Sequence, residues 1–239
     1  MVVGGTVDTV AVETSREGLH VRKVFQAELH QIGEGLIEIS QLVSAAIVKS
    51  NTAFKGADTE LAQEVIAADA RIDFLQNDLD ERAIDILARQ GPVASDLRMI
   101  VGALRMSASL ERMGDLARHI AQLARLRFPA NVIPEGVRGT FDELAELDEQ
   151  IASKVTELLE TRNLELTNEI NAAKARVSAL HAGVFKAVAA QDWDESAPTT
   201  VDVTLASRYY ERFADHGVSV ASKVTYLVTG EWQPTAPLM

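Results

Sequence analysis

Six carboxylates in three pairs are the residues of this chain whose types and spacing could do chemistry. Glu111 and Asp115 stand four residues apart, as do Glu211 and Asp215, and as do Asp69 and Asp73. In an α-helix that spacing puts both members of a pair on one face. Like charges so placed disfavour the helix by a few tenths of a kcal/mol, so a compensating cation is expected nearby. A hard metal ion such as Fe, Mn, Zn or Mg is one candidate, because it takes several carboxylate oxygens. The pairs at 69/73 and 111/115, facing each other across two helices, would supply four. The chain also offers its own cations: Arg118 lies three residues after Asp115, and Arg208 three residues before Glu211. Solvated pairs on an acidic protein are the third possibility.

Other chemistry is thinly represented. There is one Glu-x-x-His pair, Glu17 with His20, where a ferritin-like di-iron bundle uses two. His30, His119, His181 and His216 form no ligand spacing. No phosphate-binding Gly-rich loop, nucleophile elbow or nucleophile with a recognisable base is present. Cysteine is absent, which excludes disulfides and thiolate metal sites and fits a reducing compartment.

The elements that must position the carboxylates are helical. Of 239 residues, only 14 are Gly and 6 Pro, and aromatics make up 5%; Ala, Leu, Glu, Gln and Arg dominate, which favours helix. The first helix, about residues 19–53, carries Val21, Phe25, Leu29, Ile32, Leu36, Ile39, Val43 and Ile47 at i, i+3/i+4 spacing. Gly56 and Asp58 are expected to stop it and cap the next. A second helix, about 59–89, has the stripe Leu61, Val65, Ala68, Ile72, Leu75, Leu79 and Ile86. Gln90-Gly91-Pro92 breaks it, and Pro92 suits the first turn of a third helix, to about 127. There Leu97, Val101, Leu104 and Ala108 form a row that Glu111 and Asp115 continue. Helices at about 137–159, 164–190 and 199–229 repeat the plan.

The two acidic stretches are themselves a repeat. Between residues 110–124 and 210–224, four of fifteen positions are identical: the Glu, Arg and Asp of each stretch and Ala121/Ala221. The predicted fold is therefore all-α, two tandem antiparallel three-helix bundles. The predicted organisation is a flexible tail at 1–18, a first bundle at 19–128, a linker at 129–136, a second bundle at 137–230 and a tail at 231–239.

Charge narrows the partners. There are 35 acidic against 23 basic residues, a net charge of −12. A nucleic-acid partner is disfavoured, since binding one needs a basic face, and so is docking on an anionic membrane. No run reaches the ~18 apolar residues of a membrane span.

The run Pro92-Val93-Ala94-Ser95-Asp96-Leu97-Arg98, followed by Leu110-Glu111-Arg112-Met113-Gly114-Asp115, resembles the PhoU family of phosphate-transport regulators. So do Tyr210-Glu211-Arg212-Phe213-Ala214-Asp215-His216 and the opening Val24-Phe25-Gln26-Ala27-Glu28-Leu29. The resemblance covers roughly residues 20–230. It implies two three-helix bundles and a cytoplasmic, non-enzymatic protein; a homodimer is the expected assembly for such bundles. Such a protein acts as an adaptor between the Pst phosphate ABC transporter, through its ATPase subunit, and a sensor histidine kinase, and is a negative regulator of the phosphate-starvation response and of phosphate uptake. It also implies metal binding through Asp69, Asp73, Glu111 and Asp115, and in the second half through Glu211 and Asp215. Arg98, Arg112 and Arg212 are further candidates for partner contacts. The match departs at one place. Lys174 and Ser178 stand where the first half has Asp69 and Asp73. Lys174 is expected to repel a metal there and to pair with Glu211 or Asp215. The alternatives from other classes are a metal-dependent helical-bundle enzyme or metal store, and a dimeric structural spacer.

Overall fold

The computed structural model describes residues 7–231, with side chains from Val24 onward except Gln90. It is all-α: α1 (Val7–Gly56), α2 (Thr59–Gln90), α3 (Ala94–Arg127), a short 3-10 turn (Glu135–Val137), α4 (Arg138–Thr161), α5 (Glu165–Val188) and α6 (Ala197–Thr229). Helices α1–α3 pack on one another as one bundle and α4–α6 as the other, and the bundles meet along α3 against α6 and α1 against α4.

The ends follow from local chemistry. Asp58 caps α2, its Oδ1 accepting from the backbone N–H of Glu60 at 3.1 Å and of Leu61 at 3.0 Å. Gly91 and Gly230 take the left-handed conformation, with φ of 51° and 76°, at the ends of α2 and α6, the region open to a residue without a Cβ. Ser196 caps α6 ahead of Pro198. Three expectations are corrected. The stretch expected as a flexible tail at 1–18 is helix from Val7 on: no proline interrupts residues 7–18, and extending a formed helix is easy compared with nucleating one. Residues 1–6 and 232–239 lie outside the described residues, as do the side chains of Glu17 and His20. Gly56 remains helical, and it is Ala57 that turns left-handed, φ 49°. Pro92 precedes α3 rather than opening it.

The core contains the expected α1 stripe from Phe25 to Ile47. On α2 the expected stripe is buried at Val65, Ile72, Leu75, Leu79 and Ile86 and fails at one place, where Ala68 is exposed and Asp69 is 7% exposed. On α3 the row through Leu97 and Val101 is the wet edge; Leu97 is 41% exposed, and Ile100, Ala103, Ser107, Leu110, Gly114, Ala117 and Ala121 form the buried seam. Periodicity marks a 100°-wide face, and where two seams run side by side the neighbouring helices decide which is covered. Asn51 ties the bundles together, donating to Glu149 Oε1 at 2.8 Å and accepting from the Tyr210 hydroxyl at 2.9 Å.

Candidate functional site

In the first half, α2 and α3 bring the predicted carboxylates together. A Cβ at Gly114 would lie 2.9 Å from Ile72 Cδ1 and 3.3 Å from Asp69 Oδ1, so the side chains of Ile72 and Asp69 fill the space that the glycine leaves. Arg118 then bridges the two helices: Nε donates to Asp69 Oδ2 at 2.5 Å and Nη2 to Asp115 Oδ1 at 2.5 Å. Arg112 donates to Asp115 Oδ2 at 2.8 Å and its Nε lies 3.4 Å from Glu111 Oε2. Asp73 is exposed, and its charge is felt by both Asp69 and Glu111. Burial pushes the Asp69 carboxyl above the usual carboxylate range; Arg118 opposes this, and Asp73 and Asp115 add to it. Burial likewise raises Glu111, followed by the charge of Asp115. The cluster thus holds more negative charge than its arginines neutralise.

In the second half, Lys174 sits where Asp69 would be. Its ammonium donates to Ser178 Oγ at 2.7 Å and Glu211 Oε1 at 3.1 Å, and lies 2.9 Å from Asp215 Oδ1. Arg208 donates to the other oxygen of Glu211, and Arg212 stands 3.9 Å from Asp215. The lysine pairs with both carboxylates, as its place in the sequence suggests.

Sequence reasoning missed Asp148. It lies in the core of α4, fully buried, and neither oxygen has a hydrogen-bond partner. Burial raises its carboxyl well above the usual range; Lys174 opposes that and Asp215 adds to it. The signal was present: Asp148 interrupts the apolar row Phe141, Leu144, Ile151, Val155. Also missed were ion pairs repeated in the two halves at a constant spacing: Arg71–Glu38 with Arg176–Glu143, and Lys49–Glu64 with Lys154–Glu169. By that spacing Asp148 corresponds to Val43 and Lys174 to Asp69. The second half has thus exchanged a valine and an aspartate for an aspartate and a lysine.

The arginines suggested for partner contacts fall into two groups. Arg112 and Arg212 are largely exposed but engaged with the acids of their own helices. Arg98 is exposed, and no ion pair holds it among the described residues.

As a metal site, the second cluster does not fit, because a half-buried ammonium already occupies the space between its carboxylates. In the first, Arg118 holds Asp69 and Asp115 and Arg112 stands against Glu111, which leaves Asp73 as the carboxylate of the four with no ion pair among the described residues. No three His, Cys, Asp or Glu side chains have metal-binding geometry among the described residues.

A family model for the PhoU domain matches the chain twice, at residues 36–124 and 141–224. The chain belongs to the PhoU domain family. The two matched segments are the two bundles that carry the acidic clusters. Among relatives, the phosphate-specific transport system accessory protein PhoU homolog 2 of Mycobacterium tuberculosis is 36% identical over 210 residues, which is 88% of this chain and 99% of that protein. Homolog 1 of Mycobacterium leprae is 36% identical over 212 residues, 89% and 96% of the two chains. The crystal structure of PhoU from Pseudomonas aeruginosa superposes with a TM-score of 0.81 at 25% identity, covering 87% of this chain and all of that one. PhoU from Streptococcus pneumoniae gives 0.78 at 23% identity, over 88% of this chain, and shares the fold. Among the described residues, no helix is long and apolar enough to cross a membrane.

Proposed function

We propose that this protein is an accessory regulator of phosphate transport: a cytoplasmic, non-enzymatic adaptor that carries the state of a Pst-type transporter to a sensor histidine kinase and holds the phosphate-starvation response off. The observation that carries this reading is the double PhoU match over both bundles, with relatives at 36% identity that bear the transport-accessory name. The site chemistry supports binding over catalysis. In both clusters every carboxylate but Asp73 is paired with a cation of the same chain, and neither cluster pairs a nucleophile with a base. The partner surfaces would be the transporter's ATPase subunit and the cytoplasmic part of the kinase, with a homodimer as the working form.

The test is binding of the purified protein to those two partners, with wild type and a Glu111→Ala/Asp115→Ala variant side by side. Loss of binding in a folded variant places the contact on the acidic face of α3. Equal binding moves it elsewhere on the adaptor. No binding to either partner by wild type overturns the reading.

A second reading has its own observation, the excess negative charge on Asp69, Asp73, Glu111 and Asp115. A divalent cation would be held there by Asp73 and Glu111, with Asp69 and Asp115 joining if Arg118 swings away; Fe, Mn, Zn and Mg all suit such oxygens. Calorimetric titration with Mn²⁺ tests it. Uptake by wild type that disappears in Asp73→Ala/Glu111→Ala supports it, and no uptake ends it.

A further inference from the structure

The antiparallel contact of α3 with α6 has two ends that correspond under the repeat. His119 stacks on Tyr209 at 5.2 Å on one side of the centre, and Ser109 donates to Ser219 Oγ at 3.4 Å on the other. At the end where α3 finishes, Arg127 is answered by Asp202, a buried carboxylate that accepts from both Nε and Nη2. Exposed apolar side chains flank this pair along the two helices: Leu126, Val201 and Leu205.

At the opposite end the chemistry is reversed. Gly102 stands in the place of Asp202 and Leu227 in that of Arg127, so the carboxylate is missing. Arg105 stands in the place of Leu205, and Lys223 in that of Leu123. A groove of ≈ 200 Å³ opens there, lined by Leu97, Arg98, Val101, Gly102, Arg105, Lys223 and Tyr226, with no carboxylate among them. Its wall is largely apolar, and in a chain of net charge −12 the only charged residues that border it are three cations. Arg98 and Arg105 lie two turns apart on one face of α3, and neither forms an ion pair among the described residues. The Lys223 ammonium donates to Ser219 Oγ at 2.6 Å and Ser219 O at 3.0 Å, both neutral acceptors. An ammonium has three donors, which leaves one N–H. Burial, then the charge of Arg105, lowers its proton affinity. A half-buried cation beside a second cation is a stored repulsion that a bound anion would relieve.

We propose that this groove binds a phosphate-type oxyanion, with the two guanidinium groups and the Lys223 ammonium as its donors. A single carboxylate would leave two of the three charges unanswered, whereas a phosphate group carries about 1.5 to 2 negative charges at pH 7 in a volume that fits a small groove. The planar guanidinium fork matches two of its oxygens at once, and Lys223 supplies the point charge. Leu97 and Val101 flank the groove and limit the water that would screen the contact. The inference goes beyond the adaptor reading and stands without it.

The same chemistry comes from free phosphate or from the phosphoryl groups of a nucleotide, and two probes separate them. Inorganic phosphate and ATP without metal are titrated calorimetrically into the full-length protein at low salt, against potassium chloride of equal ionic strength. Thermal stability is followed in parallel, since a ligand that binds only the native state raises Tm. Wild type is compared with Lys223→Met, which keeps the aliphatic stem, and Arg105→Gln. Binding of either probe, weakened about ten- to a hundredfold in each variant, supports the site; phosphate alone or ATP alone then names the source. The readout is the increment caused by the anion, so a variant with a lower Tm of its own still reports. An equal increment in wild type and both variants overturns the proposal, as does no binding of either probe beyond chloride. Capture of an acidic protein segment at this groove without binding of either probe overturns it as well.

Discussion

The two acidic clusters occupy corresponding places in two copies of one fold and balance their charge in opposite ways. In the first half the cation comes from the same helix as the acids: Arg118, one turn beyond Asp115, reaches across to the buried Asp69 on α2. In the second the cation comes from the facing helix, Lys174 on α5, and no carboxylate stands opposite Glu211 and Asp215 from that helix. The carboxyl that α5 lacks reappears on α4 as Asp148, without a hydrogen bond. A repeat therefore preserves packing more strictly than charge placement. Exposed pairs such as Arg71–Glu38 and Arg176–Glu143 persist in both copies, while the buried site between the helices diverges.

The comparison breaks most sharply at Lys174. Lys174→Ala removes the cation that faces Asp148, Glu211 and Asp215 together and leaves only Arg208 on Glu211 and Arg212 near Asp215; removing one partner of a partly buried ionic cluster costs about 3 kcal/mol. Urea denaturation measures it; a loss below about 1 kcal/mol would show that the lysine is merely solvated. The next effect belongs to Gly114. Gly114→Val forces Ile72 and Asp69 aside and should cost about 2 kcal/mol by overpacking, read by the same melt. An unchanged midpoint would mean that the α2–α3 approach is not as tight as the geometry requires.

Asp148→Val installs the residue of the first half. Removing a buried acid without a hydrogen bond is expected to stabilise by about 1–2 kcal/mol at neutral pH. The sign is set by the raised carboxyl: the folded state holds the proton more tightly than the unfolded one. The native protein is therefore favoured fully below the ordinary aspartate range and loses that advantage as pH rises through the folded value. The variant should gain over wild type as pH rises and converge with it in acid. Stability curves that run parallel from pH 4 to 8 would contradict this. The smallest effect is expected at the shared pairs. Arg71→Ala and Arg176→Ala break exposed contacts and should each cost less than about 0.5 kcal/mol, equally in the two halves. A large or unequal loss would give those pairs a role that their exposure does not suggest.

Much of this was legible before any coordinates. Six helices, their punctuation at Asp58, Gly91 and Gly230, the twinned Glu-Arg-x-x-Asp stretches and the intrusion of Lys174 all follow from the order of residues, because helical period, capping and i, i+4 adjacency are local properties of a chain. Other features depended on which helix lies against which. The period could not tell whether Ala68 or Asp69 faced inward on α2, or whether Leu97 or Ile100 belonged to the seam of α3. Arg118 was visible as a partner for Asp115, three residues away, but its reach to Asp69 on another helix was not. The groove of Arg98, Arg105 and Lys223 joins residues more than a hundred positions apart. A sequence states which residues share a helix face; only the packing of α3 on both α2 and α6 decides which face is buried and which charges meet, since burial and Coulomb attraction act through space and not along the chain.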